Sequence, residues 1–340
     1  MSAYTFRFSR YLYEVDEVKK TLMMSILDKR RDESLFWAFE LFRSGFVTEL
    51  GDLLLNIYYD FYATLNPTFE KRVTLKNTLT ETDLYEIVTN LITKQHNADV
   101  YLLKIIVEQF EIESSTDDGD LMAFASFILE DKDTSLVFTT LQNLCVATIE
   151  HKTPRKLMLV RFMQHKQKQH DIQAGCTKKR ILFIKQNKKS KKDDDMYEFE
   201  FDIANAPTYR ILGLVTKYGI DDHNYLSLFN LKREREDIIG AYRDYWLGCA
   251  ARCPLWMSRI LAHGGSVTKC DGVVAFNDEE EEGNFANKYN LEPDEQKLET
   301  QNKTTQYIKK ERTWAGFCKE HNAKGLVTFD EDILAELVKV

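Results

Sequence analysis

DESLFWAFELFRSGF, residues 32–46, decides the fold. Leu35, Phe36, Phe39 and Phe42 recur at spacings of one, three and three, which places them on one broad face of a helix. Asp32 stands where an N-cap would, and Gly45 follows the last periodic residue, where the left-handed turn that ends many helices favours glycine. Upstream, an Asp16 cap opens a helix carrying Val18, Leu22, Ser25, Ile26 and Lys29, so the two segments read as a helix pair. Downstream, TELGDLLLNIYYDFYATL, residues 48–65, is a third helix. It halts at Asn66-Pro67, because proline disfavours helical geometry in the residue before it and has no amide to donate. The same style predicts helices over Thr82–Thr93, Asp99–Phe110 and Leu121–Leu129, and from Asp133 to near Glu150.

Composition agrees with this reading. The chain has 340 residues, 44% of them hydrophobic, with only 5 prolines and 14 glycines. That is enough apolar material for large cores and too little turn chemistry for an all-β protein. Short amphipathic helices joined by polar turns bury their faces against sequential neighbours, so the expected fold is mainly α. Either a HEAT-like or an irregular helical array would serve, since no fixed-period self-similarity is visible.

The pattern changes after Pro154. PRKLMLVRFMQHKQKQH loses its apolar stripe, and KKRILFIKQNKKSKKDDDMYEFEF reads as two strands, Arg180–Lys185 and Tyr197–Phe201, around a charged turn. The expected organisation is therefore an N-terminal helical-repeat-like unit over 1–170, a basic/acidic β-hairpin insertion over 171–205, and a C-terminal helical unit over 206–340. In the last, TYRILGLVTKYG and DDHNYLSLF read as short helices and Leu231–Ala262 as one long helix bent near Pro254. SVTKCDGVVAF gives a small hairpin near 266–276 with Asp271-Gly272 at its turn. DEEEEGNFANKY, EPDEQKLETQNKTTQYIKKERTWAGFCKEH and DEDILAELVKV supply the last helices.

Two groups of residues are candidates for binding. Lys178, Lys179, Arg180, Lys185, Lys188, Lys189, Lys191 and Lys192 form a basic run with no acid among them, dense enough for several phosphate contacts of RNA or DNA. A solvated turn neutralised by Asp193–Asp195 is the alternative, and the net charge of −8 argues against a surface built globally for nucleic acid. Tyr209, Leu214 and Val215 match the Tyr-x-x-x-x-Leu-hydrophobic pattern by which cap-binding translation factors are gripped. The same spacing also suits any buried amphipathic helix.

For chemistry the sequence offers little. Cys249 and Cys253 lie one helical turn apart, with His263 and Cys270 downstream, but the spacing fits no standard zinc motif and buried packing is the simpler expectation. There is no phosphate-binding glycine loop, His-Glu-x-x-His, Gly-x-Ser-x-Gly or dinucleotide fingerprint. The expectation is a non-enzymatic protein without cofactor, catalytic residue or metal. Six unpaired-looking cysteines suit a reducing compartment, and no segment is apolar enough to serve as a signal or membrane span.

Several segments resemble an uncharacterised protein family encoded by nucleocytoplasmic large DNA viruses. They are DESLFWAFELFRSGF, FYATLNPTFEKR, YRILGLVTKYGIDDHNYLSLFNLKR with AYRDYWLGCAARCPLW, and PDEQKLETQN with KKERTWAGF, which together span most of the chain. The resemblance implies a viral setting, in the host cytoplasm or the virion, and carries no catalytic residue. With the helical pattern it suggests an adaptor or scaffold binding protein partners, for instance in a viral translation-initiation or transcription assembly. An RNA- or DNA-binding protein and a minor virion component are the other expectations.

Overall fold

The structure, a computed structural model, describes residues 6–74, 79–102, 220–221, 245–268, 273–289, 307–308 and 314–325. These residues are mainly α-helical with one small antiparallel hairpin. The chain divides into two compact units, each assembled from three segments: Met1–Gly51, Thr78–Ile92 and Phe183–Glu311 in the first, Asp52–Asn77, Thr93–Leu182 and Arg312–Val340 in the second.

The first unit opens with α1 (Val15–Leu27) and α2 (Arg31–Arg43), which pack on each other. Both end in the same motif. After α2, Gly45 takes φ +92°, its amide donates to the Phe42 carbonyl at 3.0 Å, and the Phe46 amide reaches back to Leu41 at 3.1 Å. After α1, Lys29 takes φ +60°, with Lys29 N–H to Ile26 O at 3.1 Å and Arg30 N–H to Ser25 O at 2.9 Å. These paired bonds satisfy carbonyls that a helix end would otherwise strand, at the cost of a left-handed residue.

The helix starts differ from the sequence expectation. The cap of α1 is Glu14, whose carboxylate accepts the Glu17 amide at 2.8 Å, and Asp16 lies inside the first turn. The cap position of α2 is Arg30, which makes no side-chain cap bond, and Asp32 is likewise in the first turn. Both aspartates still face the positive end of a helix dipole, which explains their enrichment there without making them caps.

Aromatic packing fills this unit: Tyr13 meets Trp37 edge-on at 4.8 Å, and Phe36 meets Trp37 at 4.9 Å. Beneath them, Arg10 donates to Glu40 at 2.6 Å and the Tyr11 amide donates to the same carboxylate at 3.0 Å, with both charged side chains almost wholly buried. α3 (Val47–Ile57) begins in this unit and continues into the second. After the short α4 (Glu70–Val73), α5 (Glu81–Thr93) starts with a reciprocal cap: Thr80 Oγ accepts the Asp83 amide, and the Asp83 carboxylate accepts the Thr80 amide.

The long helix expected over Leu231–Ala262 is broken. Within its described part, α6 (Trp246–Ala250) and α7 (Pro254–Ala262) are separate helices joined through Cys253, which is extended at φ −88°, ψ 126°. Pro254 forces this: its ring pushes the preceding residue out of helical geometry and is itself well placed at the first position of a new helix. The break is anchored, because Leu255 N–H and Cys253 Sγ both donate to the Ser44 carbonyl, at 3.2 and 3.1 Å.

After α7, β2 (Gly265–Val267) and β3 (Val274–Phe276) pair antiparallel, Gly265 with Phe276 and Val267 with Val274. α8 (Glu279–Tyr289) follows, packed on β3. β1 (Ile220–Asp221) and β4 (Tyr307–Ile308) make a two-residue parallel pair. Tyr307 and Ile308 fall in a stretch expected to be helical. The local periodicity there is weak, and a partner 87 positions away in sequence leaves no trace in it.

The second unit holds the end of α3, a π-helical turn Tyr58–Tyr62, a 3-10 turn Pro67–Phe69, α4 (Glu70–Val73), the segment 93–102, and α9 (Trp314–Lys324). All five residues of the π turn, Asp60 included, are buried. The basic/acidic hairpin expected over 171–205, and the helices expected between 103 and 219, lie outside the described residues.

Candidate functional site

In the second unit, the π turn organises a polar and aromatic cluster. Its i to i+5 geometry widens the helix and exposes carbonyls to new donors. Phe61 O accepts the Asn97 amide at 3.0 Å, and Tyr62 O accepts both the amide (2.9 Å) and the side-chain NH2 (3.0 Å) of Asn66. The same Asn66 side chain donates to Gln95 O at 2.8 Å, and Thr64 donates to the Asn97 side chain at 3.2 Å. Residues 95 and 97 are thus both tied to the turn, which fixes His96 between them.

The rings then form a chain of contacts that starts and ends on the adjacent residues Tyr62 and Phe61. Tyr62 lies 5.4 Å from His96, His96 is 6.2 Å from His321 of α9, His321 stacks on Phe317 at 4.1 Å, Phe317 meets Tyr101 at 6.0 Å, and Tyr101 stacks on Phe61 at 5.0 Å. His96 and His321 are partly exposed and Tyr62 is fully buried. Burial holds the Tyr62 phenol far above its ordinary pKa, and burial with the neighbouring Glu70 carboxylate does the same for Tyr58 and Tyr59. These tyrosines stay protonated at physiological pH. Nothing in the sequence could have singled out the pair of imidazoles, which are 225 positions apart.

In the first unit, α7, the hairpin and α8 form a second candidate. Its inner side is aromatic: the Arg259 guanidinium lies 4.5 Å from the Trp256 ring centre and 4.9 Å from that of Tyr289, and His263 meets Phe285 and Tyr289 edge-on, each at 5.6 Å. Its outer side carries Leu261, 59% exposed, and Val273, 51% exposed; with Tyr245 these are the large hydrophobics exposed among the described residues. The same element carries Asp278 and Glu279–Glu282. Asp278 caps α8 by accepting the Glu281 amide at 2.8 Å, and the glutamates occupy the first turn, where the helix dipole favours them.

Cys249 and Cys253 are buried free thiols, each pushed up to about 11 by burial. Cys318 is buried too and pushed up to about 12. Among the described residues no group of three or more His, Cys, Asp or Glu side chains is placed to hold a metal ion, and no helix is long and apolar enough to cross a membrane. The basic run Lys178, Lys179, Arg180, Lys185, Lys188, Lys189, Lys191 and Lys192, the segment Tyr209, Leu214 and Val215, and Cys270 lie outside the described residues. No protein-family model, no curated protein and no solved structure matches the chain.

Proposed function

We propose that this chain is a non-enzymatic helical adaptor of a large DNA virus, which binds protein partners through the outer side of the α7–hairpin–α8 element. The observation that carries the reading is that one element combines exposed Leu261 and Val273 with the acidic first turn of α8. Apolar contact area supplies association energy, and a rim of one charge steers and selects the partner. The fitting partner presents apolar side chains flanked by Lys or Arg. The viral setting rests on the sequence resemblance, and with it the role in a translation-initiation or transcription assembly, in the host cytoplasm or the virion. A helical array, HEAT-like or irregular, is an apt frame for such a role because it offers ridges and grooves without needing an active site.

Affinity purification of the tagged protein from infected cells, with nuclease treatment before elution, tests the reading. Stoichiometric protein partners that survive nuclease and are lost on Leu261→Glu and Val273→Glu support it. Partners that vanish with nuclease would instead favour RNA or DNA contact through residues 178–192, and many copies per virion would favour a structural component.

A further inference from the structure

We propose that His96 and His321 form a two-imidazole binding site for a borderline first-row divalent metal ion, Cu2+, Ni2+ or Zn2+, with water completing the coordination sphere. This does not depend on the adaptor reading, which concerns the other unit.

Three features of the pair carry the inference. The first is separation: a metal–nitrogen distance of about 2.0–2.1 Å puts the ring centres of two imidazoles on one ion roughly 4.5–6.4 Å apart, from right-angle to linear coordination. The observed 6.2 Å lies at the wide end of that window, so a tetrahedral angle needs an approach of about 1 Å, within reach of side-chain rotation at partly exposed positions. The second is tautomer: His321 Nδ1 lies 3.0 Å from the Phe317 carbonyl, which can only accept, so Nδ1 carries the proton and Nε2 the lone pair. A backbone acceptor on the far nitrogen is the usual outer-sphere support of a metal-binding histidine. The third is support: Phe317 stacks against His321 and Tyr62 packs against His96, so each imidazole is backed by a ring. His96 is also held on either side by the Asn66 and Asn97 bonds. Imidazole nitrogen selects Cu2+, Ni2+ and Zn2+ over the hard cations Mg2+ and Ca2+. An ion bridging these two would staple the 93–102 segment to α9.

Full-length protein stripped with chelator and titrated with Cu2+, Ni2+ or Zn2+ alone is the test. Calorimetry is expected to show a site that His96→Gln and His321→Gln each weaken by about tenfold or more, since loss of an outer-sphere partner alone costs 10–100-fold. His263→Gln leaves that site unchanged. Absence of binding, or equal binding by wild type and both variants, overturns the proposal. A second measurement needs no variant: oxidation by bound Cu2+ with ascorbate marks the side chains that hold the ion, and peptide mass spectrometry must find His96 and His321 marked. Marking elsewhere with both histidines intact is equally decisive against the site.

Discussion

Gly45 and Lys29 occupy the same position in two copies of one helix-ending motif, and they should respond in opposite directions to substitution. At Gly45, an added Cβ would meet two penalties. The backbone is at φ +92°, where a residue with a Cβ costs about 1–2 kcal/mol, and the Cβ would lie 2.6 Å from the Cβ of Pro254. That neighbour belongs to a ring on a backbone already fixed by the Leu255–Ser44 bond, so it cannot rotate away. Overpacking of this kind costs about 1–3 kcal/mol, which gives roughly 2–5 kcal/mol for Gly45→Ala. Lys29 is an exposed residue already carrying the left-handed cost, at φ +60°. Lys29→Gly relieves it and adds only the extra chain entropy of glycine, for a net gain of about 0.5–1 kcal/mol. Urea unfolding followed by tryptophan fluorescence reads both, because Trp37, Trp246 and Trp256, three of the four tryptophans, are in the first unit. Gly45→Ala within 0.5 kcal/mol of wild type, or Lys29→Gly clearly destabilised, would refute the reasoning.

Three further outcomes follow from buried polar groups. Glu40→Ala leaves the Arg10 guanidinium buried without its carboxylate and the Tyr11 amide without its acceptor, and should cost about 3–5 kcal/mol in the same assay, more than Glu40→Gln. Burial, reinforced by the Glu17 and Asp16 charges, pushes the Glu14 carboxyl from an ordinary 4.5 up to about 8, against the backbone amides that favour its ionised form. The folded chain therefore holds a proton there that the unfolded chain releases. Its stabilising effect is full below about pH 4.5, declines as pH rises toward 8 and is gone above it, so Glu14→Gln should flatten the fall in stability between pH 5 and 8 measured by denaturant midpoint. Cys249, Cys253 and Cys318 should resist iodoacetamide at pH 7.5 in the native protein and become labelled in urea, as peptide mapping would show, because burial disfavours their thiolates.

What sequence revealed and what it concealed divide along one physical line. Signals carried by neighbours were legible: the apolar periodicity of α1, α2 and α5, the stop at Gly45, the Asp-Gly hairpin now seen as β2 and β3, and the mainly α class itself. Signals set by distant partners were not. The π turn buries Tyr58, Tyr59, Asp60, Phe61 and Tyr62 in succession, a run that no 3.6-residue stripe predicts: the Ala63 amide reaches back to the Tyr58 carbonyl, and the Phe61 carbonyl is answered by the distant Asn97. Cap identity failed for a related reason. Asp16 has the right chemistry but lies inside the first turn of α1, because the chain enters that helix through pairing of Phe8 with Glu14 and the Val15–Arg7 bond, which hands the cap to Glu14. The break at Cys253 was half legible, since Pro254 announces an interruption but only its contact with Ser44 decides between a bend and two helices. Both candidate sites belong to the concealed class. Leu261 and Val273 stand out only by an exposure that tertiary packing decides, and His96 meets His321 across 225 positions of sequence. Because the segment that carries His96 is anchored on the π turn, substitutions there should perturb the His96–His321 pair before they perturb the helices that flank it.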